Sequence, residues 1–155
     1  MLQDMPRKEI DSVLFESLRA LYRFEMAKER LFGISFMDIF LLQYLRTHSP
    51  CCMGDVAAEM SRPVSTVTRV VDRLEKKHLL RRRKDPDDRR TILVELKPRG
   101  VEIVKEVEDH TYAVIMKNLE RLGQDGTAAY IKTAVSMPEI LKIPEGGESH
   151  EKFER

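Results

Sequence analysis

Between residues 8 and 31 the apolar positions Ile10, Val13, Leu14, Leu18, Leu21 and Tyr22 recur at intervals of three and four, which predicts one long amphipathic helix. Gly33 ends it. Ser35, followed three residues later by Asp38, has the form of an acidic capping box and opens a second helix through Ile39, Leu42 and Leu45 to about Thr47, where Ser49 and Pro50 stop it. Over residues 53–60, Val56, Ala57 and Met60 share the face of a short helix. A further helix is predicted to start between Ser61 and Val64, with Pro63 suited to a first turn, and to run to about Lys77 with Val67, Val70, Val71 and Leu74 facing inward. The period then changes. Residues 79–84 and 91–96 read as two strands of a hairpin whose tip carries the turn-forming residues Asp85, Pro86, Asp87 and Asp88.

After Pro98 the helical period returns, with Val101, Val104, Val107, Val114, Ile115, Leu119 and Leu122 along a stripe too long for a small core to cover. Gly123 to Gly126 are expected to interrupt this helix. A last helix is expected over residues 127–141, with a kink at Pro138, and the polar residues 143–155 are expected to form a flexible tail. The fold class implied is mainly α with a small β-hairpin wing. Residues 1–155 read as a single domain in which a winged helix-turn-helix module, residues 35–97, is flanked by helices at 8–32 and 100–142.

Charge sharpens this picture. The net charge of +1 hides a division along the chain: residues 1–60 carry 7 basic and 9 acidic groups, residues 61–99 carry 13 and 6, and residues 100–155 carry 7 and 11. A cationic block between acidic flanks suits a polyanion-binding module, because the flanks discourage contact elsewhere. If the apolar face of the fourth helix is buried, helical spacing presents Arg62, Ser65, Thr66, Arg69 and Arg73 outward. Arg bonds bidentately to guanine, and hydroxyls serve bases or phosphates, so these types in this order suit a helix lying in a major groove of double-stranded DNA. The hairpin adds Arg81, Arg82, Arg83, Lys84, Arg89 and Arg90 around its acidic tip. Asp85, Asp87 and Asp88 are expected to neutralise some of these cations and phosphates the rest, with Asp88 placed to orient Arg90.

Asp55-Val56-Ala57, the run from Ser65 to Glu75, and Asp85-Pro86-Asp87-Asp88-Arg89-Arg90 together resemble the MarR family of bacterial regulators. The resemblance implies a homodimer whose first and last helices interlock, two recognition helices reading a palindromic operator, and Arg90 as the residue that reaches a minor groove from the wing. DNA-binding residues carried by pattern and resemblance are therefore Arg62, Ser65, Thr66, Thr68, Arg69, Arg73, Arg82, Asp88, Arg89 and Arg90. Two positions depart from the family's pattern: His78 stands where a Gly usually ends the recognition helix, and Lys97 where a Thr usually caps the next one.

The resemblance also implies a crevice for a small-molecule effector, with Tyr22, Phe36, Phe40 and Tyr44 as candidate lining and Arg19 or Arg23 for a carboxylate, although aromatics at helical spacing are more often plain core. Cys51 and Cys52 with His48 form an H-x-x-C-C cluster, better read as structural thiols than as a metal or redox site, since zinc sites draw four ligands and a reactive thiol needs an electropositive setting. Adjacent cysteines also suit a reducing compartment. No Ser-His-acid set, paired-carboxylate signature or phosphate-cradling glycine loop is present, so an enzyme, a cofactor and a metal are not expected. No stretch approaches the roughly 18 apolar residues of a membrane span, and the first residues carry charges and no apolar run, so a cytoplasmic protein is expected. The rival readings are a winged-helix adaptor that binds another protein, and a redox- or metal-sensing regulator on the same fold.

Overall fold

The computed structural model describes residues 6–142. The expected flexible tail at 143–155 lies outside the described residues. In chain order the elements are α1 (Arg7–Phe32), α2 (Phe36–His48), β1 (Cys51–Cys52), α3 (Met53–Glu59), α4 (Val64–Lys76), β2 (Leu80–Lys84), β3 (Ile92–Leu96), α5 (Pro98–Glu120) and α6 (Gly123–Ile140). By their internal contacts the chain divides into two units, Met1–Asp109 and His110–Arg155, with α5 running through the boundary.

In the first unit the helix ends follow the local chemistry. Gly33 adopts the left-handed conformation (φ 65°) and its N–H closes α1 on the Glu29 carbonyl. Ser35 caps α2 by accepting the Asp38 N–H at 3.2 Å. Cys52 caps α3: its Sγ accepts the Asp55 N–H while the Asp55 carboxylate accepts the Cys52 N–H, both at 3.4 Å, a capping box with a thiol in the usual hydroxyl position. Pro63 precedes the first turn of α4, and Pro98 is the first residue of α5, where its missing N–H costs nothing.

The fourth helix ends in a full Schellman motif, with the His78 N–H on the Glu75 carbonyl at 2.9 Å and the Leu79 N–H on the Leu74 carbonyl at 3.0 Å. This closure puts His78 at φ 59°, the left-handed conformation its missing glycine would have adopted with less strain.

The core of this unit lies among α2, α3, α4 and the sheet. Leu41, Leu42, Leu45, Val56, Val67, Val71, Leu74 and Val94 are all fully buried. Burying each Leu contributes about 1.5–3 kcal/mol, so trimming Leu74 to Ala would cost about 2–5 kcal/mol. Val104 and Val107 of α5 belong to the same core. Gly100 makes that packing feasible: a Cβ there would sit 2.1 Å from the Leu79 carbonyl oxygen and 2.8 Å from Leu96 Cδ1.

The wing is a three-stranded antiparallel sheet in the order β1-β3-β2. The expected two-stranded ribbon is thus one strand short. The Cys51–Val94 and Cys52–Leu93 pairs add β1 at its edge, and Ser49 Oγ accepts the Leu96 N–H at 3.0 Å beside them. Strands β2 and β3 pair Leu80 with Leu96, Arg82 with Val94 and Lys84 with Ile92.

In the second unit, α6 begins at Gly123 itself (φ 68°), four residues before the expected start. The break falls at Arg121 and Leu122, whose N–H groups turn back onto Asn118 and Leu119, and Gly126 lies inside the helix with Leu122 too close to admit a Cβ easily. Pro138 stands near the end of α6. Neither α1 nor α6 buries a residue: Leu14, Phe15, Leu18, Leu21 and Tyr22 on the first and Tyr130, Ile131, Val135 and Ile140 on the last are exposed.

Candidate nucleic-acid interface

Four inward positions of α4 fix which way the rest of the helix faces. Val67, Val70, Val71 and Leu74 are buried, and Arg62, Ser65, Thr66 and Arg69 are exposed at the helix start and along its outer side. Neither Arg62 nor Arg69 has an ion-pair partner among the described residues. Thr68 is half-buried, and its hydroxyl donates to the Val64 carbonyl at 2.8 Å. It lines the edge of this surface.

Two arginines assigned to the same surface are engaged elsewhere. Arg73 reaches back to α2, where Nε lies 3.1 Å from each Asp38 carboxylate oxygen and Nη2 makes a further contact. Asp38 is 1% exposed, so this is a buried carboxylate held by a fork of donors. The bond raises the Arg73 pKa above its ordinary value. Arg73 therefore ties α4 to α2, an engagement that its expected role as a DNA contact did not include. Arg82 is likewise a tie: Nη1 bridges Asp72 at 2.6 Å and Glu75 at 3.0 Å, Nη2 donates to the Thr68 carbonyl at 3.2 Å, and its backbone N–H donates to Glu75 at 2.8 Å. It straps the wing to the recognition helix.

The wing's charges are also balanced differently from expectation. Glu95 on β3 takes Arg81 at 2.8 Å and Arg83 at 3.4 Å, while the tip acids spend themselves on the turn. Asp85 Oδ1 accepts the Asp87 N–H at 2.9 Å, and Asp88 accepts the Arg90 N–H at 3.0 Å and the Thr91 hydroxyl at 2.8 Å. The Arg90 amide, and after it the Thr91 hydroxyl, hold the Asp88 carboxyl below its ordinary pKa. Asp88 thus orients Arg90 through the backbone, not through the guanidinium. Lys84, Arg89 and Arg90 are exposed and have no ion-pair partner among the described residues. What remains is one set of unneutralised cations on α4 and another at the wing, the distribution that phosphate binding requires.

The six candidate effector residues do not converge on a single cavity. Arg19 is paired with Glu16 at 2.8 Å, Arg23 is exposed, Phe40 packs against the core, and Tyr44 stacks on His48 at 4.3 Å between ring centroids. Burial, ahead of nearby acidic groups, raises the Tyr44 phenol pKa. Tyr22 and Phe36 line a common hollow, an apolar one of about 260 Å³ shared with Leu18, Leu21, Glu25 and Met26.

His48 is turned to Tyr44, and its Nδ1 lies 3.1 Å from the Tyr44 carbonyl oxygen. Cys51 is buried in β1, and burial, reinforced by Asp55 and Cys52, pushes its thiol up to about 11. Among the described residues no group of three His, Cys, Asp or Glu could hold a metal ion. No helix there is long and apolar enough to cross a membrane.

A short helix, a tight turn, an outward-facing basic helix and a flanking wing define a winged helix-turn-helix DNA-binding protein. Residues 36–92 match the MarR family model, and the chain is similar to transcriptional regulators of that family. Over 101 residues it is 29% identical to an uncharacterized HTH-type transcriptional regulator of Bacillus subtilis (strain 168), YsmB, covering 65% of this chain and 69% of that one. The HTH-type transcriptional repressor MdtR of the same organism is 29% identical over 112 residues, 72% of this chain and 70% of the relative. The crystal structure of the Bacillus subtilis YusO protein superposes with a TM-score of 0.67 at 27% identity, covering 86% of this chain and 99% of the other.

Proposed function

We propose that this chain is a sequence-specific repressor that acts as a homodimer, laying two copies of α4 in successive major grooves of a palindromic operator, with Arg90 of each wing at a minor groove. The observation that carries this reading is the sorting of cations. Arg73, Arg81, Arg82 and Arg83 are neutralised by the protein's own acids, whereas Arg62, Arg69, Arg89 and Arg90 are not, and these four stand with Ser65 and Thr66 at the outer side of α4 and the wing tip. A protein that discriminates among sequences needs groups able to reach base edges, and an arginine engaged by a carboxylate has fewer of its five N–H donors left for this and less net charge to offer a phosphate.

Pairing is supported by the uncovered apolar faces of α1 and α6, at residues 8–32 and 100–142, since exposed patches of this kind mark association surfaces. Repression is supported by the likeness to MdtR, and a cytoplasmic location by the nature of the work. The role is binding, with no catalysis, cofactor or metal. A small-molecule effector would enter at the apolar hollow beside Tyr22, where Arg19 and Arg23 lie on the same helix.

Footprinting on the promoter beside its own gene tests the reading. Protection of two half-sites about 10 base pairs apart is expected, and Arg69→Ala or Arg90→Ala should each weaken binding by about 1–3 kcal/mol with the dimer intact. Duplex affinity unchanged by both substitutions, with tight binding to another protein, would favour the adaptor reading.

A further inference from the structure

On the other end of α4 from Arg62 lies a hollow of about 390 Å³, lined by Phe32, Gly33, Ile34, Lys76, Lys77, His78, Leu79, Arg99 and Ile103. Its composition is unusual. Four basic side chains contribute to its wall, no acidic residue does, and none of the four has an ion-pair partner among the described residues. Elsewhere in this unit Arg46, Arg73, Arg81 and Arg82 each have a carboxylate, and Arg62, Arg69, Lys84, Arg89 and Arg90, which have none, lie on the outer side of α4 and the wing.

Local preference explains only part of the cluster. Lys76 and Lys77 close α4, where the helix dipole favours cations. Arg99, by contrast, is in the first turn of α5, where the dipole favours acids and none is present. His78 occupies a left-handed position at φ 59° that glycine would fill with less strain, and it lines the hollow. The floor is apolar: Ile34 and Leu79 are buried, and Phe32 and Ile103 are half-buried and packed on the core. A cavity of this size with apolar lining and a few converging polar groups is the usual form of a small-molecule site.

We infer that this hollow is a binding site for a small phosphorylated molecule, whose dianionic head lies among Lys76, Lys77, His78 and Arg99 while an apolar or aromatic body covers Leu79, Ile103 and Phe32. Three permanent cations and an imidazole match a phosphate dianion better than a single carboxylate, and the guanidinium of Arg99 can bond a phosphate bidentately. The helix α4 spans about 18 Å from Val64 to Lys76, at 1.5 Å per residue, so the site is remote from the groove-facing residues at its start. The assignment goes beyond DNA binding and does not depend on it.

The chain contains no tryptophan, so a naphthyl probe can be followed by its own fluorescence. The test titrates the full chain with 1-naphthyl phosphate and, in parallel, with 1-naphthol. Saturable binding of the phosphate, at least tenfold tighter than the naphthol, is expected. The double variant Lys77→Ser/Arg99→Ser should lose at least tenfold of that affinity while its circular dichroism and melting temperature stay at the parent's. Lys117→Ser/Arg121→Ser, which removes two exposed cations of the second unit, should lose none. Equal affinity for the two probes would overturn the proposal, as would full binding by the first variant or stoichiometric displacement of the probe by a short DNA duplex, which would assign these cations to nucleic acid.

Discussion

Replacing Arg73 with Ala separates a structural tie from a DNA contact. The substitution leaves the Asp38 carboxylate, 1% exposed, without the guanidinium that supplies its side-chain bonds. Breaking a buried ion pair by removing one partner costs about 3–5 kcal/mol, and because Arg73 itself is 46% exposed the lower end applies, about 3 kcal/mol. Asp38→Ala releases a half-exposed arginine into water and should cost less, about 1–2 kcal/mol. The double variant should then be more stable than Arg73→Ala alone, because the stranded charge is gone. In thermal unfolding at fixed protein concentration, Arg73→Ala should melt roughly 6–12 °C below the parent, at about 2–4 °C per kcal/mol for a chain of this size. At a temperature where the variant is folded, its DNA affinity should stay within a few-fold of the parent's. Parent-like melting combined with a roughly hundredfold loss of DNA binding would refute the assignment and restore Arg73 to the groove.

Three further outcomes follow from other positions. His78→Gly should stabilise the chain by roughly 0.5–1 kcal/mol in urea unfolding, since it relieves a left-handed non-glycine while keeping the Schellman bonds; destabilisation would mean that the imidazole makes contacts worth more than the strain. Cys51, with its thiol pushed up to about 11, stays protonated until pH approaches that value, so iodoacetamide at pH 8 should alkylate Cys52 well before Cys51, as read by peptide mass; equal rates would contradict the burial argument. At the wing tip the folded-state pKa of Asp88 is depressed, so the order it confers is complete above pH 3.8 and is lost only as pH falls through the lower folded value. Exchange of the Arg90 amide should accordingly slow in the parent relative to Asp88→Ala at neutral pH, and identical exchange would show that the carboxylate does not hold the turn.

Local rules made the helices legible. Ser35 with Asp38, Gly33, Pro63 and Pro98 are short-range signals, and each element they predicted is present within a residue or two. The wing strands were legible from the change of period and the turn residues. Strand β1 was not, because two residues cannot display a period and their partner Val94 is more than forty positions away. The same distance hid the fate of Arg73. Helical spacing puts it on the side of Arg69, but an arginine is long enough to turn towards Asp38, thirty-five residues earlier, and no pattern within α4 announces that acid. The ion pairs of Arg82 and Glu95 are not legible for a related reason: the acids at the hairpin tip read as the natural counter-ions, yet turn geometry engages Asp85 and Asp88 with the backbone and leaves neutralisation to Asp72, Glu75 and Glu95. The glycines at 123 and 126 read as a break because glycine disfavours helix interiors, but a helix start tolerates a positive φ at its first residue.

The central claim is that the unpaired cations of the outer side of α4 and of the wing, Arg62, Arg69, Lys84, Arg89 and Arg90, face nucleic acid, and its most direct measurement is the affinity for a duplex carrying the upstream promoter as a function of salt. Plotted as log affinity against log salt, the parent should fall with a slope of roughly −0.9 for each phosphate neutralised, and replacing Lys84 and Arg89 with Ala should make that slope shallower. A flat line for the parent, or a slope untouched by removing both side chains, would contradict it.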